Sequence, residues 1–163
     1  SRAIVNATGA SLARLLRPLG IDPGVPMTRA LNIVTRLAAP AAAVGGRTIG
    51  GRNLFLVPWR GRALFGTWES GRVESDGATA PSGTELEAFV AAVRQAYPGM
   101  TVTRDTIDLV HRGLVPAAVH GQAVAPDGRE QLHDHTAAGH PELISVAGTK
   151  YTTARAVAEK ITD

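Results

Sequence analysis

The spacing of apolar residues predicts short strands mixed with helices. Helical spacing occurs over residues 11–19, over residues 83–97 and over residues 152–161. Short apolar or alternating runs predict strands over residues 3–9, 30–35, 53–58, 63–67, 106–111, 120–124, 131–135 and 143–146. Because these elements do not alternate as βαβ units, the pattern favours an α+β fold with a mainly antiparallel sheet.

Turn residues divide these elements. Gly61 separates two apolar runs and predicts the turn of a β-hairpin, because glycine adopts positive φ readily. Ser82 and Glu85 have the spacing of a capping box at a helix start, and the Pro98–Gly99 pair ends that helix. Residues 38–52, 71–83 and 113–116 predict loops.

The first predicted strand opens the chain as a buried, apolar segment. Such a strand is either an ordinary N-terminal strand or one whose natural neighbours lie upstream, and composition does not separate the two.

Composition narrows the class of protein. The chain has 163 residues, 44% of them hydrophobic and 19% charged, which fits one globular domain with a core. The absence of cysteine excludes disulfide scaffolds, cysteine-ligated zinc fingers and thiol nucleophiles. No apolar run is long enough to span a bilayer and residues 1–2 begin no signal peptide, so we expect a cytoplasmic setting, or the inner face of a membrane.

The positive charge does not indicate a nucleic-acid partner. Lys and Arg number 17 against 14 Asp and Glu, giving +3, but the arginines are scattered and only 4% of residues are aromatic. Scattered arginines favour small anionic molecules.

The predicted strand–turn–helix over residues 143–161 is the best candidate for chemistry. Gly148 permits close approach of a ligand, Thr149, Thr152 and Thr153 offer hydroxyls, and Lys150 adds a positive charge at a helix N-terminus. A helix whose threonines merely cap it explains the pattern equally well.

Other candidate groups are weaker. His133 and His135 would share one face of a strand, but no third ligand has suitable spacing, so we favour a solvated strand end and predict no metal site. The glycines of residues 45–51 lack a nucleotide-binding context. Trp59 and Trp68 favour hairpin packing over a pocket.

Several motifs, taken in order, resemble the C-terminal part of FAD-dependent glycerol-3-phosphate dehydrogenases, in the D-amino-acid-oxidase-like superfamily. The motifs are Ile4–Gly9, Phe55–Trp59, Leu64–Thr67, Tyr97–Gly99, Val102–Asp105 and Leu143–Arg155. The resemblance covers essentially the whole chain, and the closing motif is the most specific.

This resemblance implies an architecture and an activity. Residues 1–27 would end an FAD-binding domain, residues 28–140 would form an α+β substrate-binding domain flanked by helices, and residues 141–163 would return to the FAD domain. Such enzymes oxidise sn-glycerol 3-phosphate to dihydroxyacetone phosphate by hydride transfer to flavin and pass electrons to quinone or another acceptor. The amino-terminal half of the FAD site is missing from this sequence, so we expect this chain alone to hold no FAD tightly and to be inactive.

The resemblance also implies site residues. Lys150 and Arg129 correspond to catalytic and substrate-binding basic residues. The implied FAD-binding residues are Ala7, Thr8, Gly9, Gly148, Thr149, Lys150 and Thr152.

One departure affects the substrate. The family's Gly-Val-Arg-Pro segment reads Gly113–Pro116 here, so that Val115 replaces a phosphate-binding arginine, a loss for which Arg112 or His111 would have to compensate. Alternatives are therefore a related FAD-dependent oxidoreductase acting on another hydroxy or amino compound, and a non-catalytic module that binds small anions.

Overall fold

The computed structural model of the chain describes residues 3–75 and 80–162. The strands are β1 Ile4–Asn6, β2 Met27–Ala38, β3 Val44–Arg47, β4 Asn53–Trp59, β5 Arg62–Glu69, β6 Ile107–His120, β7 Ala123–Pro126, β8 Gln131–Asp134 and β9 Leu143–Ala147. The α-helices are α1 Leu12–Leu16, α2 Gly83–Ala96 and α3 Ala154–Thr162. Part of the predicted 71–83 loop, and the start at residues 1–2, lie outside the described residues. The predicted α+β class with mainly antiparallel strands is confirmed.

The chain forms two compact units. Unit 1 comprises Ser1–Arg29, Gly71–Ala78 and Leu114–Asp163, and unit 2 comprises Ala30–Ser70 and Thr79–Gly113. None of the helices in the described ranges is long and apolar enough to cross a membrane.

Unit 2 is built on antiparallel strands in the order β3-β4-β5-β2. Alternate residues of these strands, including Leu31, Leu54 and Phe65, are buried in one core with Phe89 and Val93 of α2. The apolar face of α2 therefore packs into this core, as the helical spacing of its apolar residues predicts.

The predicted hairpin is confirmed between β4 and β5. Arg60 and Gly61 form its two-residue turn with φ of 51° and 78°. Both values are positive, as a type I′ turn requires. Ser82 caps α2 by accepting a hydrogen bond from the Glu85 N–H at 3.1 Å, which confirms the predicted helix start.

The prediction of a loop over residues 38–52 is wrong in its centre. Residues 44–47 form β3, which pairs with β4 along its whole length. This strand requires glycine at position 46, because a Cβ there would lie 2.8 Å from Cζ of Tyr97. Close packing, rather than turn formation, explains the glycine.

Unit 1 contains a three-stranded sheet in the order β1-β9-β8, in which β1 is parallel and β8 antiparallel to β9. Its core consists of Leu12, Leu16, Ile21, Val25, Met27, Leu143 and Ala147. The β1 strand is confirmed, but its predicted burial is wrong. Ile4 and Val5 are 53% and 45% exposed, because among the described residues β1 is an edge strand that pairs with β9 alone.

Two further predictions are corrected near β6. Residues 113–116 continue the strand rather than forming a loop, since Pro116 and the residue before it favour extended backbone. The following strand is β7, starting at Ala123 rather than at residue 120, because Gly121 makes the intervening turn with a φ of 61°.

Regular helix in α3 begins at Ala154, after a 3-10 turn over Tyr151–Thr153.

Candidate functional site

A cavity of about 560 Å³ lies in unit 1 beside the turn between β9 and α3. Its walls come from β1, β6, the loop between β7 and β8, β9 and α3. The lining residues are Val5, Ala7, Gly9, Val115, Gly128, Arg129, Glu130, Val146, Gly148, Thr149, Lys150, Tyr151, Thr153, Ala154, Val157, Ala158, Ile161 and Thr162. Mostly apolar walls with a few charged groups are typical of small-molecule sites.

Most of the residues singled out from sequence meet at this cavity. Those that line it are Ala7, Gly9, Arg129, Gly148, Thr149, Lys150 and Thr153. Thr8 and Thr152 do not line it, and the Thr8 hydroxyl donates instead to Oδ1 of Asn6 at 2.7 Å. His111 and Arg112 belong to unit 2 and are not among the lining residues.

The threonine hydroxyls of the turn bind main-chain carbonyls. Thr149 Oγ1 donates to the Asp127 carbonyl at 2.8 Å, and Thr153 Oγ1 donates to the Lys150 carbonyl at 3.2 Å. These bonds fix the backbone of the turn that leads into α3.

The two basic residues stand close to the loop between β7 and β8. Lys150 extends over Gly128, since its Nζ would lie 3.3 Å from a Cβ at that position. The Arg129 side chain is 84% exposed. Val115 provides an apolar wall where the resemblance implies an arginine.

Two carboxylates accompany these cations. Hydrogen bonds from the Arg129 main chain and the Gln131 side chain hold the pKa of Asp127 below its ordinary value. A hydrogen bond from Lys160 lowers the pKa of Glu130 in the same way. Both groups are therefore charged at neutral pH. Asp127 was not singled out from the sequence, although the Asp-Gly pair at residues 127–128 is a turn signal.

The histidines lie away from this cavity. His135 is 6% exposed, and its Nε2 lies 2.8 Å from Oγ of buried Ser145. The interpretation of a solvated strand end is therefore wrong for His135, which follows β8 and turns inward. Within residues 3–75 and 80–162 no group of three His, Cys, Asp or Glu side chains is arranged to hold a metal.

The tryptophans pack within unit 2, as the sequence favours. Trp68 stacks on Phe89 with ring centroids 5.4 Å apart, and the Arg52 guanidinium lies 4.3 Å from the Trp68 ring. Trp59 contacts His111 edge to face at 5.3 Å. Packing thus accounts for both rings.

Comparison with known proteins identifies relatives. No family model matches the chain. A glycerol-3-phosphate dehydrogenase from Synechocystis is 30% identical over 77% of the chain, and the mitochondrial glycerol-3-phosphate dehydrogenase SDP6 of Arabidopsis thaliana is 28% identical over 72%. Over most of its length the chain is therefore similar to these glycerol-3-phosphate dehydrogenases.

The chain corresponds to only part of these relatives. It spans 23% and 18% of the lengths of the two curated proteins. The solved structure of glycerol-3-phosphate dehydrogenase from Bacillus halodurans complexed with FAD matches 99% of the chain with a TM-score of 0.74 and 21% identity, and the match covers 31% of that structure. The structural likeness confirms the fold.

Proposed function

We propose that the chain is the substrate-binding part of an FAD-dependent oxidoreductase that oxidises sn-glycerol 3-phosphate to dihydroxyacetone phosphate. The observation that carries the proposal is the meeting of Lys150 and Arg129 at one cavity, in a chain similar to these dehydrogenases. Since the chain spans about a quarter of its relatives, the activity is proposed for the complete polypeptide in which it works.

The cavity residues fit a flavin. Val146, Val157 and Ile161 offer apolar surface to a flat ring, while Lys150 and the N-terminus of α3 offer positive charge to the electron-rich end of that ring. Gly148 admits the ring close to the main chain because no Cβ intervenes. A flavin bound there supplies the acceptor for a hydride, and a quinone or similar acceptor would take the electrons onward.

The basic residues would bind and orient the substrate. The exposed guanidinium of Arg129 suits a phosphate, which it can bind through two parallel hydrogen bonds. The Lys150 ammonium would donate a hydrogen bond to the substrate hydroxyl and hold the carbon that loses hydride in place. The surrounding apolar wall would exclude water from this contact.

The test is an anaerobic visible spectrum of the complete polypeptide, before and after addition of glycerol 3-phosphate. We expect a bound flavin that bleaches, and slower bleaching in Lys150→Met. The matched control is Arg155→Met, which removes a cation of α3 that pairs with Glu159, and neither of these residues lines the cavity. Absence of flavin would overturn the proposal, and flavin that stays oxidised would remove this substrate.

One observation favours a second substrate class. Val115 lines the cavity at the position where the resemblance to the dehydrogenases implies a phosphate-binding arginine. An uncharged hydroxy or amino compound is therefore a second candidate substrate. If the phosphate is the true ligand group, Val115→Arg should lower KM for glycerol 3-phosphate about tenfold. Val119→Arg, which adds the same charge to an exposed position of β6, is the control. An unchanged KM in Val115→Arg would favour the second class.

A further inference from the structure

Asp127 joins three walls of the cavity through its main chain. It is buried, at 8% exposure. Its N–H donates to the Pro116 carbonyl at 2.8 Å, next to Val115 in β6. Its own carbonyl accepts the Thr149 hydroxyl at 2.8 Å, next to Lys150. The β6 wall and the turn before α3 are thus both attached to the start of the loop between β7 and β8.

The carboxylate of Asp127 shapes the rest of that loop. Its Oδ1 accepts the Arg129 main-chain N–H at 3.0 Å, and its Oδ2 accepts Nε2 of Gln131 at 3.0 Å. The Arg129 Nε lies 3.7 Å from Oδ1, so the carboxylate holds the main chain of Arg129 more closely than its guanidinium. The loop is therefore fixed, and the Arg129 guanidinium, which also lies within ion-pair distance of Oδ1, keeps most of its surface exposed to an anion.

The same loop sets the place of Lys150. Gly128, between Asp127 and Arg129, provides the surface over which the Lys150 side chain extends, with Nζ at 3.3 Å from a Cβ built there. A shift of the loop would therefore move both cations of the cavity.

We infer that Asp127 is a positioning residue, which holds Arg129 and Lys150 in the arrangement that binds an anionic substrate. The inference rests on the proposed function for the identity of that substrate. It assigns to the carboxylate a geometric role, exerted through hydrogen bonds, and not an electrostatic one.

The geometry is tested in the 163-residue chain by amide hydrogen exchange, followed by NMR. In Asp127→Ala we expect exchange of the Arg129 amide to speed up about tenfold, since its acceptor is lost. Asp127→Asn keeps an acceptor oxygen and should restore slow exchange. The matched control is Asp134→Ala, which removes a carboxylate that accepts the Thr136 N–H at 2.7 Å away from the cavity lining.

Two results of this experiment would overturn the inference. One is an Arg129 amide whose exchange is the same in Asp127→Ala as in the parent chain. The other is equal acceleration in Asp127→Asn and Asp127→Ala, which would show that charge and not hydrogen-bond geometry is required.

Steady-state kinetics of the complete polypeptide tests the consequence for substrate. Asp127→Ala should raise KM for glycerol 3-phosphate about tenfold and should also lower kcat, because it displaces both Arg129, which binds the phosphate, and Lys150, which orients the reacting carbon. Asp127→Asn should restore KM, and Asp134→Ala should leave it unchanged. A loss confined to kcat, or no loss, would contradict the positioning role. If neither the parent protein nor any variant reduces flavin with glycerol 3-phosphate, the proposed function is wrong. The hydrogen-exchange experiment then still decides whether Asp127 positions the Arg129 main chain.

Discussion

The two glycines in the middle of β3 have unlike surroundings. A Cβ on Gly46 would lie 2.8 Å from Tyr97 Cζ and 2.9 Å from the Ala96 carbonyl oxygen, whereas a Cβ on Gly45 would meet only a Phe55 ring carbon at 3.9 Å. The carbonyl is main chain and yields only if α2 moves.

Gly46→Ala should therefore destabilise the protein by about 1–3 kcal/mol through overpacking. Gly45→Ala, on the same strand, should change the free energy of unfolding by less than about 0.5 kcal/mol. Urea denaturation of both variants measures the contrast, and equal stability of the two would show that β3 does not pack against the end of α2.

Tyr97 connects α2 to two strands through one hydroxyl. Its oxygen lies 2.9 Å from the Val44 carbonyl oxygen and 2.7 Å from the Leu54 carbonyl oxygen, so its single proton is shared between these two acceptors. Tyr97→Phe should cost about 1–3 kcal/mol, because buried carbonyl acceptors lose their donor. Thermal unfolding at neutral pH measures this loss.

The raised pKa of Tyr97 predicts that the folded protein loses stability at alkaline pH. Burial raises the pKa of Tyr97 above its ordinary value of 10.0, so the folded chain keeps the proton where the unfolded chain has lost it. The free energy of unfolding should therefore fall as pH rises above 10.0, and this fall should be smaller in Tyr97→Phe. Identical alkaline profiles of the two proteins would contradict the assignment.

At the scale of the element, the stability of α2 depends on the cap at its first turn. Ser82 satisfies one N–H that the helix itself leaves unpaired. Ser82→Ala should lower the free energy of unfolding by about 1 kcal/mol, whereas Ser82→Asp keeps an acceptor and should lower it less. Chemical denaturation followed by circular dichroism compares them, and equal losses would show that the cap is not the cause.

Elements with a local signal were predictable from sequence, and elements stabilised by distant contacts were not. The Arg60–Gly61 turn and the Ser82 cap are encoded within four residues, so hairpin and helix were both predicted. By contrast, β3 looks like a glycine-rich loop until Tyr97 is known to pack against Gly46. The extension of β6 through Pro116 likewise depends on a partner carbonyl from Pro26 for the Ala117 N–H.

The candidate site was predictable to a similar extent. Arg129 and Lys150 came from motif resemblance, and the structure places both at one cavity. The contribution of Asp127 was not visible, because its partners Pro116 and Thr149 are distant in sequence and no pattern links them. The division into domains over residues 1–27, 28–140 and 141–163 stays a prediction.

At the scale of the whole molecule, a buried ion pair holds two distant segments of unit 1 together. Arg29 of β2 and Glu74 are 3.1 Å apart with side chains 3% and 7% exposed, and the Glu74 N–H donates to the Met27 carbonyl at 2.8 Å. Removing one partner takes away part of the charge compensation of the other, which stays buried.

Glu74→Gln should therefore lower the free energy of unfolding by about 1.5–3 kcal/mol. Arg72, whose side chain is 60% exposed, also approaches Glu74, and Arg72→Ala should cost less than about 1 kcal/mol. Urea denaturation of both variants at neutral pH is the measurement. A Glu74→Gln protein as stable as Arg72→Ala would show that the pair is not required.

The division of unit 1 into three stretches of sequence has a consequence for biosynthesis. Unit 2 ends at Gly113, whereas unit 1 includes Leu114–Asp163, which contribute β8, β9 and α3. During synthesis, residues 3–29 therefore emerge before the strand containing Leu143, with which Leu12 and Leu16 share a core. A chain that ends at residue 113 should, once released from the ribosome, protect β4 and β5 from protease while leaving β1 and α1 open to cleavage.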